Sequence, residues 1–90
     1  QYLDTAQYDA AVALNRALRD TATAWKSGAA QNEAEKTGVV LLEQAGFDVD
    51  YVSIRKATNL GIPEPGDSGL RVLAAARLGQ TRLIDNLPVN

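Results

Sequence analysis

Apolar and polar positions recur along this chain with two periods, and the period changes once. Over residues 4–26, Tyr8, Ala11, Val12, Leu18, Ala22 and Trp25 return at three-to-four spacing, with Leu14 close to the same stripe. Arg16, Arg19 and Asp20 fall mostly elsewhere. The pattern predicts an amphipathic helix from Asp4 to Lys26. Asp4 is placed to cap it, Gln7 follows three residues later, and Leu3 and Tyr8 have the spacing of a hydrophobic staple. Ser27-Gly28 breaks the helix. A second helix is predicted over 29–45, with Ala30, Ala34, Leu41, Leu42 and Ala45 as its apolar stripe and Gln31, Glu33, Glu35 and Lys36 polar. Gly38 weakens its middle by about 1 kcal/mol relative to alanine. Gly46 is placed as a left-handed C-cap residue, with Phe47 folding back on the last turn. The short break between the helices makes them antiparallel neighbours.

From Val49 the period becomes two. Val49 to Lys56 is rich in β-branched residues and predicts a strand, with Val52 and Ile54 on one face and Val49, Tyr51 and Ser53 on the other. Pro63 and Pro65 exclude a central strand from Asn59 to Gly69, which reads as a loop. Leu70 to Leu78 is a second strand. Its set Leu70, Val72, Ala74, Ala76 and Leu78 faces the helices, and Arg71, Leu73, Ala75 and Arg77 face away. Thr81 or Arg82 to Leu87 is a third strand that Pro88 ends, and Gly79-Gln80 suits a tight hairpin turn. The predicted fold is α+β: two antiparallel helices packed on a three-stranded antiparallel sheet. Ninety residues make one domain, 1–90, with a core one layer deep.

Composition removes most chemistry. The chain has no cysteine and no histidine. Disulfides, thiolate or imidazole metal sites, and cysteine- or histidine-based nucleophilic catalysis are therefore excluded within it. The absence of cysteine fits a cytoplasmic protein. The net charge of −2 argues against a nucleic-acid or anionic-membrane surface. No apolar run approaches the roughly 20 residues of a membrane span. Neither a phosphate-binding glycine loop nor a dinucleotide fingerprint is present. Gly66-Asp67-Ser68-Gly69 is similar to the serine environment of some proteases, but without histidine it reads as a turn. Asp48 and Asp50 are too few for a calcium site and read as solvated acids, so no metal site is expected. Tyr8 and Trp25 read as core packing rather than a stacking platform.

What remains is the charge within the last two strands. A two-residue turn places Arg77 opposite Arg82, and like charges directly opposite are unfavourable. Either the register shifts, or an anion sits between them, Asp85 or Asp50. Two readings follow. In one, Arg71, Arg77 and Arg82 are surface arginines with Asp85 as an ion-pair partner, each pair contributing about 0–1 kcal/mol. In the other, the three arginines line a basic sheet face that meets a cleft or an anionic partner.

The string from Ala75 to Asn86, "AARLGQTRLIDN", preceded by "VDYVSIRKA" (Val49 to Ala57), resembles the C-terminal domain of the pantoate–β-alanine ligases. "QYLDTAQYDAAVALNRAL" (Gln1 to Leu18) also looks like that family, in which an "SSRN" motif precedes a Tyr-Leu and a helix. The resemblance runs the length of the chain. It implies a cytoplasmic, ATP-dependent ligase, with Mg2+ accompanying ATP, that makes pantothenate for the coenzyme A pathway. ATP would adenylate pantoate, and the amine of β-alanine would attack the pantoyl adenylate. It further implies an N-terminal Rossmann-like catalytic domain as this chain's partner and a homodimeric parent. The family's histidine motif and "SSRN" are not in this sequence, so no catalytic residue carries over. The chain begins with Gln1 and has no methionine. It is therefore expected to be an excised lid domain, inactive alone and binding no cofactor by itself. The alternative is a stand-alone protein-interaction module using the exposed sheet face. A nucleic-acid binder is disfavoured, because only Tyr51 offers an exposed strand aromatic.

Overall fold

The computed structural model describes residues 5–64 and 69–89, with side chains from Tyr8 onward. The elements run α1 (Thr5–Lys26), α2 (Gln31–Gln44), β1 (Asp48–Lys56), β2 (Leu70–Leu78) and β3 (Thr81–Val89). The strands form one antiparallel sheet in the order β1-β2-β3. The α+β architecture is the one expected. The cap at Asp4, the staple through Leu3 and the turn at Gly66-Asp67-Ser68 lie outside the described residues.

The helices end as their glycines dictate. Gly28 and Gly46 have φ +100° and +94°. After α1, the Ala29 N–H donates to Ala24 O and Gly28 N–H to Trp25 O. After α2, Phe47 N–H donates to Leu42 O and Gly46 N–H to Glu43 O. Both are Schellman closures, which satisfy the last carbonyls of a helix. Phe47 and Leu42, the pair that this closure brings together, are both buried.

The buried face of α1 keeps Leu14, Leu18 and Ala22 of the expected stripe but not Tyr8 and Val12. Ala10, Leu14, Ala17, Leu18, Thr21 and Ala22 are buried, whereas Tyr8 is 62% and Val12 47% exposed. Tyr8 and Val12 each stand two residues out of step with Ala10 and Leu14, about 200° around the helix. Trp25 is partly buried against the core, as expected. On α2 the inward residues are Ala34, Gly38 and Leu42, while Ala30 and Ala45 are exposed. Gly38 explains the choice of small residues. A Cβ there would collide with Thr21 Oγ1 and lie 3.1 Å from Val52 Cγ1 and 3.4 Å from Ala17 O. The glycine thus lets α2 approach both α1 and the sheet. The buried Thr21 hydroxyl donates to Ala17 O at 2.8 Å.

In the sheet, Leu70, Val72, Ala74 and Ala76 are buried under the helices, as predicted. β1 departs from simple alternation. Its register shifts between Val49 and Tyr51, which pair with Ala76 and Ala75. Asp50 is therefore the extra residue of a β-bulge. Val49 moves to the helix-facing side and packs against the core, not beside Tyr51 as expected. β3 runs through Pro88 to Val89 rather than stopping at Leu87. An edge strand points alternate N–H groups away from its neighbour, and proline there costs no ladder bond. Gly79, φ +63°, takes the first central position of the β2–β3 turn, where a type II′ hairpin places glycine.

The free edge of β1 is covered from α2. Ile54 N–H donates to Glu35 Oε2 at 2.9 Å, and Gln31 Nε2 donates to Ile54 O at 3.2 Å and to Glu35 Oε2 at 2.8 Å. Two side chains thus supply the bonds of a missing neighbouring strand, one way of protecting an exposed edge.

Candidate functional site

Both helices pack on one face of the sheet, α2 over β1 and α1 over β2 and β3. No helix or strand among the described residues covers the other face. The register sets four rows across that outer face: Asp48–Arg77–Arg82, Tyr51–Ala75–Ile84, Ser53–Leu73–Asn86 and Arg55–Arg71–Pro88. Within the middle rows Tyr51, Leu73, Ala75 and Ile84 form an apolar belt, with Tyr51 42% and Ile84 63% exposed, and Ser53 and Asn86 are the polar residues beside Leu73. Each charged end carries a pair of arginines.

The end nearest the hairpin is the one read from the sequence. Arg77 does pair with Arg82. Asp50 supplies the neighbouring anion, with Arg82 Nε 2.8 Å from Asp50 Oδ2. The bulge makes this contact: it frees Asp50 from the ladder, and Arg82 on β3 reaches across β2 to it. Both side chains are more than 40% exposed, so the pair stabilises the fold little. Asp85 is not this partner. It pairs with Ala74 and so stands on the helix-facing side of β3, where its carboxylate accepts from the Asn86 N–H at 2.8 Å.

At the far end, Arg71 lies directly opposite Arg55, a residue the sequence reading did not single out. Arg55 Nε donates to Ser53 Oγ at 2.9 Å. Arg71 donates to Asn86 Oδ1 from Nε at 3.0 Å and from Nη2 at 2.6 Å. Beside them lies a shallow hollow of about 310 Å³ lined by Tyr51, Ser53, Arg55, Leu60 and Leu73. Leu60 is the one non-glycine residue with positive φ (+58°) among those described. The loop is held by Lys56 N–H to Gly61 O, Leu60 N–H to Lys56 O, and Gly61 N–H to Asn59 Oδ1. No local signal marks Arg55 in the sequence; its place opposite Arg71 follows from the pairing of Lys56 with Leu70 across the loop.

Arg71, Arg77 and Arg82 thus share one face, with Arg55 added and Asp85 removed. The described residues contain no group of three or more His, Cys, Asp or Glu able to hold a metal ion. No helix among them is long and apolar enough to cross a membrane.

A family model described as pantoate-beta-alanine ligase matches residues 1–88. The pantothenate synthetase of Azotobacter vinelandii is 50% identical over 91 residues, covering 99% of this chain and 32% of that protein. The pantothenate synthetase of Neisseria meningitidis serogroup C is 47% identical over 90 residues, with the same shares. The crystal structure of pantothenate synthetase from Thermus thermophilus matches with a TM-score of 0.81 at 31% identity, over 98% of this chain and 32% of that one. The chain spans about a third of the length of these relatives.

Proposed function

This chain belongs to the pantoate–β-alanine ligase family, and we propose that it is the C-terminal lid of such an enzyme, acting by closure rather than by chemistry of its own. The parent is an ATP-dependent ligase that forms pantoyl adenylate from pantoate and ATP, with release of pyrophosphate. The amine of β-alanine then attacks the acyl carbon and AMP leaves. An acyl adenylate is hydrolysable, so a lid that excludes water protects it until the amine arrives. Other parts of the same protein supply the catalytic groups and hold ATP with its Mg2+. Metal holding is assigned to those parts on this reading, because the described residues contain no group of three or more His, Cys, Asp or Glu that could hold an ion. The parent works in the cytoplasm, as a homodimer.

The observation that carries this reading is the outer sheet face. It has an exposed apolar belt and arginines at both ends but no cover among the described residues, on a chain that spans a third of its relatives. The remainder of the protein is the natural cover. A stand-alone interaction module would use the same belt, and the exposure of Ile84 is the feature that favours it.

The test is coupling in the full-length enzyme. Ile84→Asp places a charge in the belt without touching the core. A lid that closes poorly leaks water, so AMP released per pantothenate formed should rise above one. Arg77→Ala and Arg82→Ala test whether this end meets the cleft, through turnover and the Michaelis constant for ATP. The isolated chain should release no AMP from ATP, pantoate and β-alanine. Stoichiometric AMP in the Ile84→Asp enzyme at unchanged turnover would remove the lid role.

A further inference from the structure

The two arginine pairs of the outer face are not equivalent. At the hairpin end a carboxylate of the chain, Asp50, lies 2.8 Å from Arg82. At the far end, Arg55 and Arg71 face each other in register, and their hydrogen bonds to Ser53 and Asn86 engage neutral groups. Like charges directly opposite on a sheet destabilise it, so a pair kept this way invites an external anion.

The geometry points to a binding site for a phosphate-type oxyanion, held between Arg55 and Arg71. The two side chains bond to Ser53 and Asn86, which share one row with Leu73 between them. Both guanidinium groups are thereby directed to the same row, one on either side of Leu73. Each guanidinium carries five N–H donors. The bonds above engage one on Arg55 and two on Arg71. The others suit a ligand in the forked geometry that matches phosphate oxygens. Two positive charges match a dianion, whereas a carboxylate neutralises only one. The adjoining hollow, walled by Leu60, Leu73 and Tyr51, leaves room for the group that bears the phosphate. The site is independent of the lid reading, because it resides wholly on this chain.

The experiment is a titration of the 90-residue chain with inorganic pyrophosphate at constant ionic strength, read by NMR at the arginine Nε–Hε signals. Saturable shifts are expected at Arg55 and Arg71, with Arg16 and Arg77 unmoved. Arg55→Gln and Arg71→Gln should each weaken binding by about tenfold to a hundredfold, the loss expected for one charge-assisted hydrogen-bonding partner. Arg16→Gln should not. Acetate at equal ionic strength should leave the signals in place. Comparison with ATP separates a free phosphate from a nucleotide: tighter binding of ATP with shifts at Tyr51 assigns the site to a nucleotide phosphate, and equal binding to the phosphate alone. Linear shifts of equal size at all arginines would mean ionic screening and overturn the proposal, as would an equal response to acetate. Glu64→Gln and Asp67→Asn should leave the Arg55 and Arg71 signals of the free chain unchanged. If either substitution moves both signals, the anion is the chain's own carboxylate and the site is structural.

Discussion

Gly38→Ala separates two accounts of one residue. In an exposed helix, alanine in place of glycine stabilises by about 1 kcal/mol. Here the added Cβ meets Thr21 Oγ1 inside contact distance, and Val52 Cγ1 stands 3.1 Å away. Thr21 is fully buried and its hydroxyl is engaged with Ala17 O, so it has little freedom to retreat. Overpacking of a tight core costs about 1–3 kcal/mol. Displacing the hydroxyl from its acceptor adds about 1 kcal/mol. Set against the propensity gain, the net loss is about 1–3 kcal/mol, and a loss of about 2 kcal/mol lowers the melting temperature of a domain this size by roughly 8–16 °C. Urea unfolding followed by the fluorescence of Trp25, the single tryptophan, measures it. The double variant Gly38→Ala/Thr21→Ala removes the obstructing oxygen and should recover at least about 1 kcal/mol relative to additivity. A stabilised Gly38→Ala chain, or a double variant that is merely additive, would refute the close approach of α2 to α1.

Three other expectations can be checked on the same chain. Glu35→Ala strips the β1 edge of the acceptor for Ile54 N–H and of the partner for Gln31, and should cost about 1–3 kcal/mol in the same urea assay. Gly46→Ala forces a side chain to φ +94°, and Leu78 Cδ1 at 3.7 Å is only an ordinary contact. Its cost of about 1–2 kcal/mol should therefore come from the backbone, and Gly46→Asn should lose less. Asp50→Asn breaks the Arg82 pair but should change stability by no more than about 1 kcal/mol, with the difference vanishing in high salt.

The limits of the sequence reading are physical and particular. The period change from helix to strand, the glycine break after α1, the C-cap glycine of α2 and the bounds of β2 are legible because each is a local signal. The face of α1 is not. Size and hydrophobicity select Tyr8 and Val12, whereas the close approach of Gly38 selects Ala17 and Thr21. Val49 falls on the unexpected face because a single extra residue, Asp50, inverts the alternation. Pro88 reads as a stop in the sequence because its tolerance depends on β3 being an edge, a property of the whole sheet. Of the candidate site, Arg71, Arg77 and Arg82 are visible as charges out of place in apolar strands. Arg55 sits among ordinary strand residues and acquires its meaning only when β1 is laid against β2.

The arrangement of the outer face suggests how closure and anion recognition divide between its parts. Covering Ile84, now 63% exposed, removes apolar surface whose full burial is worth about 1.5–3 kcal/mol for such a side chain. That gain is indifferent to what occupies the cleft, so on the lid reading the belt sets how readily the domain closes. The arginine ends act differently. Arg82 is already engaged by Asp50, and releasing it to an external anion must first break that pair. Among the described residues Arg55 and Arg71 bond to the neutral Ser53 and Asn86, so an oxyanion at the proposed site gains more of their attraction. Substitutions in the belt should then shift closure by a constant amount whatever anion is present. Arg55→Gln and Arg71→Gln should abolish only the part of closure that depends on the anion. In the full-length enzyme, the Ile84→Asp defect should therefore be the same at all pyrophosphate concentrations, and the Arg71→Gln defect should appear only as pyrophosphate rises. Identical concentration dependence for the two variants would show that belt and arginines work as one surface.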